Sequence, residues 1–248
     1  MLGATDWRDP ERIDLKGRVV LVTGGFGRLA VAIVRAVARS GGLAAVHDDT
    51  IDGAGSVLQR AIGPDLCRAV AGPSGGEPVP ASIFARARAW RGRIDVLVNC
   101  GGIALAREPA HASLLGRAGE DVTSGFVPLS LRGFSIAAAS HFRSRPRGGI
   151  IINLAASATV SGVRALTRKV ARNYAEAGVT AFVALPGAVT TMFRGRSETA
   201  LEEPNASLPE NGLADPASVA RTVVRLASRQ VGPSRASDGD EVMIRHAV

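Results

Sequence analysis

The chain has 248 residues, 46% of them apolar, with 29 Gly, 13 Pro and 2 Cys. This composition suits one globular domain and excludes a disordered or fibrous protein. No stretch reaches the roughly 18 apolar residues of a membrane span, and residues 1–13 mix acids with arginines, so we expect a cytoplasmic protein without a signal peptide. Cys67 and Cys100 are too few for a disulfide scaffold or a thiolate metal site, and no Cys or His cluster has zinc spacing.

The net charge of +8 comes almost entirely from arginine, because Lys16 and Lys169 are the only lysines. The arginines are spread along the chain, with the densest groups at 86–93 and 143–147. Aromatic residues make up only 4% of the chain and do not interleave with the basic ones. We therefore expect a solvated basic surface and no nucleic-acid partner.

The first half of the chain alternates strand and helix patterns. A β-branched run at 18–23 is followed by glycines and by a helical pattern over Leu29–Arg39. A second strand, 43–46, ends in His47-Asp48-Asp49 and completes a βαβ unit. A weaker helix at 53–62, a strand at 66–70, a loop at 71–80, a helix at 81–90 and a strand at 94–98 follow.

The second half continues the alternation. Residues 112–142 read as mostly helical, with breaks near Gly125 and Pro128, and lead into a strand at 150–154. A helix at 162–177 is expected to end at Gly178, and its apolar stripe contains Val163, Leu166, Val170, Tyr174 and Ala177. A strand at 179–185, a polar loop to 211, a helix at 216–229 and a strand at 241–245 complete the chain.

This order predicts an α/β fold, a single Rossmann-type doubly wound domain over residues 1–248, with a parallel sheet of about seven strands and helices on both faces. Residues 1–16 form an N-terminal extension and residues 188–213 a lid loop in this interpretation. The crossover rule puts strands 3 and 4 on opposite sides of strands 1 and 2. Cys67 and Cys100 should then lie about 14 Å apart, too far for a disulfide.

The glycine turn after the first strand fits the dinucleotide pattern G-x-G-x-x-G/A over residues 25–30. Gly25 permits a tight turn, Gly27 lets the backbone approach a pyrophosphate, and the helix N-terminus offers free N–H groups to it. Asp48 stands where a carboxylate accepts from the ribose hydroxyls and repels a 2′-phosphate, which favours NAD. Alternatively, the glycines serve only strand–helix packing and Asp48 caps a turn. Arg28 could fill the pyrophosphate space or clasp a phosphate.

Four segments together resemble the short-chain dehydrogenase/reductase (SDR) family over essentially the whole chain. They are VTGGFGRLA (22–30), DVLVNCGG (95–102), residues 165–187 and the closing GDEVMI. Asn99-Cys100-Gly101-Gly102 is similar to the family's Asn-Asn-Ala-Gly, and Pro186-Gly187 to the segment that closes over the nicotinamide. The resemblance implies these cofactor-binding residues: Gly24, Gly25, Gly27, Arg28, Leu29, Asp48, Asn99, Gly101, Pro186 and Gly187.

The resemblance fails at the family's proton-transfer residues, which are a Tyr with a Lys four positions later, a Ser and an upstream Asn. Matching residues 165–187 to the family pattern puts the Tyr position at Ala156 and the Lys position at Val160. The upstream Asn is replaced by Val122 or Thr123, and the Ser-bearing loop is about ten residues short in this comparison. The only tyrosine, Tyr174, has Gly178 four residues later, so we expect it to pack.

Few other side chains are candidates for chemistry. Ser157 or Ser161 could bind a substrate oxygen, although a helix N-cap role is favoured for each. Lys169 is expected to be solvated, and His111, His141 and Asp121 are not expected to form an acid/base pair. We thus predict no catalytic residue, with Ser157 as the weak candidate, and no metal.

These features predict a non-catalytic subunit that assembles in a heterotetramer with a catalytically competent SDR paralogue in an NAD-dependent dehydrogenase. Hydroxyacyl-CoA dehydrogenases are one example of such an assembly in the family. The stripe of Val163, Leu166 and Val170 would supply the association surface. The alternatives are a divergent but active NAD-dependent SDR oxidoreductase, including a homo-oligomer, and an NAD-binding regulatory or scaffold protein.

Overall fold

The computed structural model describes residues 13–24, 28–48, 54–72, 79–100, 127–155, 159–185, 215–229 and 241–243. Strands and helices alternate through these ranges, as predicted. In chain order they are β1 (Val19–Thr23), α1 (Arg28–Arg39), β2 (Leu43–Asp48), α2 (Ala54–Ile62), β3 (Cys67–Ala71), α3 (Val79–Arg91), β4 (Val96–Cys100), α4 (Leu129–Arg143), β5 (Gly149–Ala155), α5 (Val160–Tyr174), β6 (Val179–Leu185), α6 (Pro216–Ser228) and β7 (Glu241–Met243).

The strands form one parallel sheet in the order β3-β2-β1-β4-β5-β6-β7. The chain winds outward from β1 to β3, returns to place β4 on the other side of β1, and continues outward to β7. The strand order therefore reverses between β1 and β4, which in such sheets marks the crevice where ligands bind. The predicted Rossmann-type fold is confirmed.

Helices cover both faces of the sheet because successive strand residues point to opposite sides. Val20 and Val22 belong to the core shared with α1, α2 and α6. Val19 and Leu21 belong to the core shared with α3, α4 and α5. β1, β4 and β5 are buried along their whole length, which explains why their sequences are nearly continuous apolar runs.

Element boundaries differ from the sequence prediction at several places. β2 continues through His47 to Asp48 because these residues pair with Val70 and Ala71 of β3. α1 begins one residue early, at Arg28. α5 spans Val160–Tyr174, and the chain then turns to Gly178, whose φ of +72° suits glycine. The predicted continuation of this helix to Ala177 is wrong because residues 175–178 form turn hydrogen bonds instead.

The apolar stripe of α5 faces the interior of its own chain. Val163 and Val170 are 0% and 4% exposed, and Leu166 is half-buried against the same clusters. The exposed side of the helix carries Arg168 and Lys169. The prediction that this stripe is an association surface is therefore wrong. A spacing of three and four residues is the same whether a helix packs on its own sheet or on another subunit.

Both cysteines are free and buried. Cys67 lies on β3 and Cys100 on β4, with β2 and β1 between them, so the predicted absence of a disulfide is confirmed. Burial raises the pKa of each thiol to about 12. Within the described ranges, no helix is long and apolar enough to cross a membrane. Among the same residues, no group of His, Cys, Asp or Glu could hold a metal ion.

Candidate functional site at the carboxyl edge of the sheet

The turn after β1 has the backbone conformation that the sequence predicts. Gly24 directly follows the strand with a φ of +67°, a left-handed value that residues with a Cβ rarely adopt. α1 begins at Arg28, and its buried Leu29 and Ala30 pack into the core beside β1. The first turn of α1 contains no carboxylate, so nothing there opposes binding of an anion to its N–H groups.

The end of β2 lies beside this turn. Val46 pairs with Val22 of β1, so Asp48 stands two residues further along at the same edge of the sheet. The backbone of Asp48 therefore lies one strand away from the glycine turn, as the sequence predicts. The side chains of Arg28 and Asp48, and all of Gly25 and Gly27, lie outside the described residues.

A chain of buried polar side chains runs beneath this edge from β1 to α5. Thr23 donates its hydroxyl hydrogen to Asn99 Oδ1 at 2.6 Å. Asn99 Nδ2 donates to Ser135 Oγ of α4 at 3.1 Å and to Asn153 Oδ1 of β5 at 2.8 Å. Asn153 Nδ2 donates to Thr167 Oγ1 of α5 at 2.9 Å, and the Thr167 hydroxyl donates to a backbone carbonyl of the same helix at 2.7 Å.

This polar chain links the elements around the switch point. All five side chains are at most 2% exposed, so water cannot reach their polar atoms. The hydrogen bonds within the network satisfy these atoms instead. The network ties the carboxyl ends of β1, β4 and β5 to α4 and α5, next to Gly24. The network positions the surrounding elements and does not itself contact a ligand, because its hydroxyl and amide groups lie beneath the edge, out of reach of solvent.

Of this network, only Asn99 is predicted from the sequence as a site residue. Ser135, Asn153 and Thr167 were missed because the polar chain crosses elements distant in sequence. One signal was available: Asn153 interrupts the apolar strand GIIINLA, and a polar residue in a strand buried on both faces needs a hydrogen-bond partner.

Several predicted site residues fall outside the described residues. They are Gly101, His111, Asp121, Val122, Thr123, Ala156, Ser157, Pro186 and Gly187. Val160 is described as the first residue of α5 and is half-buried. The N-cap position of α5 belongs to Thr159 and Ser161 lies inside the helix, so the favoured N-cap role for Ser161 is wrong. The same role for Ser157 lies outside the described residues.

Tyr174 lies at the wrong end of its helix for chemistry at this edge. α5 leads from the carboxyl end of β5 to the amino end of β6, so its C-terminus lies at the opposite edge of the sheet. The 14 residues from Val160 to Tyr174 span about 21 Å at 1.5 Å per residue. Tyr174 packs against the α3–α5 core, as predicted, and Lys169 is exposed, as predicted.

His141 also packs away from the carboxyl edge, near the C-terminus of α4. Its ring lies 5.4 Å from that of Phe84 and 5.7 Å from that of Phe142. Burial, together with the charges of Arg145 and Arg88, lowers the pKa of His141 and favours a neutral imidazole. The prediction that His141 plays no part in the cleft agrees with this position.

A buried charged cluster lies at the amino edge of the sheet. Asp95, just before β4, accepts hydrogen bonds from the Val19 N–H at 2.8 Å and from Arg93 and Arg145, each at 2.6 Å. Its carboxylate oxygens are therefore occupied by donors from its own chain. This cluster is therefore structural, joining elements at the amino edge of the sheet.

Comparison with known proteins shows which family the chain resembles. Residues 29–237 match the family described as enoyl-(acyl carrier protein) reductase. The chain is 30% identical to cis-4-hydroxycyclohexanecarboxylate dehydrogenase of Sinomonas cyclohexanicum, covering 85% of this chain and 89% of that protein. It is 28% identical to 3beta-hydroxysteroid dehydrogenase 1 of Eggerthella lenta, covering 88% and 89%.

Solved structures share the fold at lower identity. A short chain dehydrogenase from Mycobacterium smegmatis superposes with a TM-score of 0.66 at 24% identity, covering 94% of this chain and 93% of that one. A gluconate 5-dehydrogenase from Burkholderia cenocepacia, solved in complex with NADP and tartrate, gives 0.66 at 21% identity, covering 94% and 96%.

Proposed function

Because the chain belongs to the short-chain dehydrogenase/reductase family, we propose that it is a nicotinamide-dependent oxidoreductase acting on a hydroxyl or carbonyl group. One observation carries the proposal. At the sheet's switch point, the left-handed Gly24 and the start of α1 stand directly above the hydrogen-bonded chain through Asn99. A buried network of this kind holds a ligand-binding edge rigid.

The described residues fit a dinucleotide. The α1 N-terminus offers N–H groups without a competing carboxylate, and Gly24 leaves the backbone of the turn open to close approach. When bound, the nicotinamide supplies the hydride acceptor or donor. We propose NAD as the cofactor because Asp48, at the end of β2, would accept from both ribose hydroxyls and repel a 2′-phosphate. The cytoplasm is the compartment we propose, since two free buried thiols suit a reducing environment.

The proposed proton transfer differs from the one that the family's Tyr and Lys residues perform. A Tyr-x-x-x-Lys spacing does not occur in the sequence, and Tyr174 lies at the far edge of the sheet. In this proposal the Ser157 hydroxyl hydrogen-bonds to the substrate oxygen, and the proton exchanges with water. Such an enzyme would be slow, since a general acid or base contributes about 10²–10⁴-fold to a rate.

The test measures cofactor binding and turnover separately. We expect NADH to bind at least about tenfold more tightly than NADPH, a difference of about 1.4 kcal/mol, and Asp48→Asn to narrow the gap. Turnover is then followed through reduced-nicotinamide absorbance with 4-hydroxycyclohexanecarboxylate and a 3β-hydroxysteroid as first substrates. Ser157→Ala should lower kcat while leaving NADH affinity unchanged. Absence of binding to either nucleotide would overturn the proposal.

A second candidate is a non-catalytic subunit that supports a competent SDR paralogue, with a hydroxyacyl-CoA dehydrogenase as one such assembly. The position of Tyr174, about 21 Å along α5 from the carboxyl edge, favours it. The two candidates separate in the same experiment. NADH binding without turnover, followed by a higher rate in a co-expressed paralogue that carries Tyr-x-x-x-Lys, would support the subunit; turnover by the chain alone would exclude it.

A further inference from the structure

One edge of the sheet is formed by β3. This strand pairs with β2 on one side and is the outermost strand of the sheet on the other. A strand in this position presents backbone N–H and C=O groups that can pair with a strand of another molecule. β3 has the sequence CRAVA, and Arg68 carries its only charge. Pairing at this edge therefore depends on whether other groups of the chain already occupy the outward backbone groups.

The register of β2 and β3 shows which backbone groups face outward. The Ala44 N–H donates to Leu66 O at 2.9 Å, and Ala44 lies opposite Cys67. Along a parallel ladder, successive residues of one strand direct their backbone groups alternately toward and away from the neighbouring strand. Leu66 and the other even-numbered residues of this segment therefore bond toward β2. The backbone groups of the odd-numbered residues point outward; these residues are Asp65, Cys67, Ala69 and Ala71.

Two side chains occupy outward groups of β3 itself. Gln59 Oε1 accepts a hydrogen bond from the Ala69 N–H at 2.7 Å. Arg86 Nη1 donates a hydrogen bond to Ala71 O at 2.6 Å. Gln59 belongs to α2, whose core lies on one face of the sheet, and Arg86 belongs to α3, whose core lies on the other face. Side chains from both helix layers therefore meet at the edge of β3.

Two further contacts cover the amino end of this edge. The Cys67 N–H donates to Gly63 O at 2.9 Å, within the turn that follows α2. Arg91 Nη2, at the end of α3, donates to Asp65 O at 2.7 Å. Each of the four odd-numbered residues thus has one outward backbone group bonded within the chain. An incoming strand would need these same groups for its own ladder of hydrogen bonds.

We propose that Gln59, Arg86 and Arg91 form an edge cover that prevents β3 of a second copy of this chain from pairing with β3. A second copy is the relevant partner because identical apolar segments stack in register and satisfy each other's backbone groups. Arg68, Arg86 and Arg91 would also bring like charges together when two such edges meet. This inference goes beyond the proposed oxidoreductase and does not depend on it.

Three variants separate an open edge from a weakened fold. The open-edge variant carries Gln59→Ala and Arg86→Ala, which remove both side-chain hydrogen bonds to β3. The matched variant carries Gln59→Glu and Arg86→Lys, which keep an acceptor and a donor at these positions and change the net charge by the same amount. Asn153→Leu weakens the fold away from β3, because it removes buried hydrogen bonds to Asn99 and Thr167.

Amide hydrogen exchange, followed by NMR, measures whether the edge is open. In the open-edge variant we expect the Ala69 amide to exchange at least about tenfold faster than in the unmodified protein, because its acceptor is gone. The Val70 amide bonds toward β2 and should keep its rate. In the matched variant both amides should stay within about threefold of the unmodified protein. Equal Ala69 rates in the two variants would overturn the role assigned to Gln59.

Light scattering and thioflavin T fluorescence measure association, at a temperature below each unfolding midpoint found by circular dichroism. We expect the open-edge variant to form β-rich assemblies at least about tenfold faster than the matched variant. If the double change prevents folding, Arg86→Ala is compared with Arg60→Ala, which removes an exposed arginine of α2 and the same charge. Association no faster than in the matched protein, or equally fast in Asn153→Leu, would overturn the proposal.

Discussion

Replacement of Asp95 by Asn should cost a large part of the stability of the fold. The Asp95 side chain is 10% exposed in its ion pairs and accepts from the Val19 N–H, Arg93 and Arg145. It thereby joins the start of β1, the start of β4 and the segment after α4. An Asn side chain keeps the shape and one acceptor oxygen, but it loses the negative charge and puts an NH₂ group toward one of the arginines.

The size of the expected loss of stability follows from the burial of both Asp95 and Arg145. Arg145 is 16% exposed, so its guanidinium cannot regain full hydration when the carboxylate is removed. Breaking a buried pair by removing one partner costs about 3–5 kcal/mol. Arg93 is 45% exposed, so water hydrates its guanidinium once the carboxylate is removed. Breaking the Arg93–Asp95 pair therefore adds little to the loss of stability. We expect Asp95→Asn to lower the free energy of unfolding at pH 7 by about 3 kcal/mol.

The loss should also depend on pH. Burial alone would raise the Asp95 pKa, but hydrogen bonds from Arg93, the Val19 N–H and Arg145 outweigh it, and the pKa is lowered. A carboxyl whose folded pKa lies below its unfolded value of about 3.9 stabilises the protein fully above that value. This contribution is lost as the pH falls through the folded pKa. The difference between the two proteins should therefore shrink below about pH 4.

Urea unfolding, followed by circular dichroism across this pH range, provides the measurement. Asp65→Asn is the matched control, because Asp65 is exposed and the charge change is the same. We expect the control to change stability by less than about 0.5 kcal/mol at pH 7. An Asp95→Asn protein as stable as the control, or a difference that does not narrow in acid, would refute the reasoning.

Three further outcomes are expected. Asn153→Leu should lower the free energy of unfolding by about 2–3 kcal/mol, because Asn99 and Thr167 lose a buried partner; a urea midpoint equal to that of the unmodified protein would contradict this. Gly149→Ala should destabilise more than Gly17→Ala in the same assay, because a Cβ at 149 would meet the ring of Phe142, whereas at 17 it meets open space and carries only the cost of a φ of +75°. Cys67 and Cys100 should not react with a thiol reagent at pH 8 until the protein unfolds, since burial raises both pKa values to about 12; labelling followed by mass spectrometry checks this.

The strands and most helices could be predicted from local sequence. Continuous apolar runs such as VVLVT and VTAFVAL predict buried parallel strands, and glycines such as Gly41, which follows the end of α1 with a φ of +76°, mark where a helix gives way to a turn. The period and length of these hydrophobic patterns are sufficient because each pattern fits only one kind of secondary structure. The packing role of Tyr174 could also be predicted, because no lysine stands four residues after it.

The carboxyl-edge network could not be predicted in the same way. A side chain such as Ser135 acquires its role from Asn99 and Asn153, which are 36 and 18 residues away in the chain. Hydrogen bonding between distant segments leaves little trace in the spacing of any one segment. Only the unexpected Asn in an apolar strand signalled that partners must exist.

The sequence by itself determined the alternation of elements, the parallel sheet and the position of the glycine turn, because these follow from local periodicity and backbone freedom. The tertiary structure decided which way each helix faces. It placed Val163 and Val170 in the core and left Arg168 and Lys169 on the exposed side of α5. The physical reason is that a helix repeats every 3.6 residues whatever it packs against, so only the assembled sheet selects the buried face.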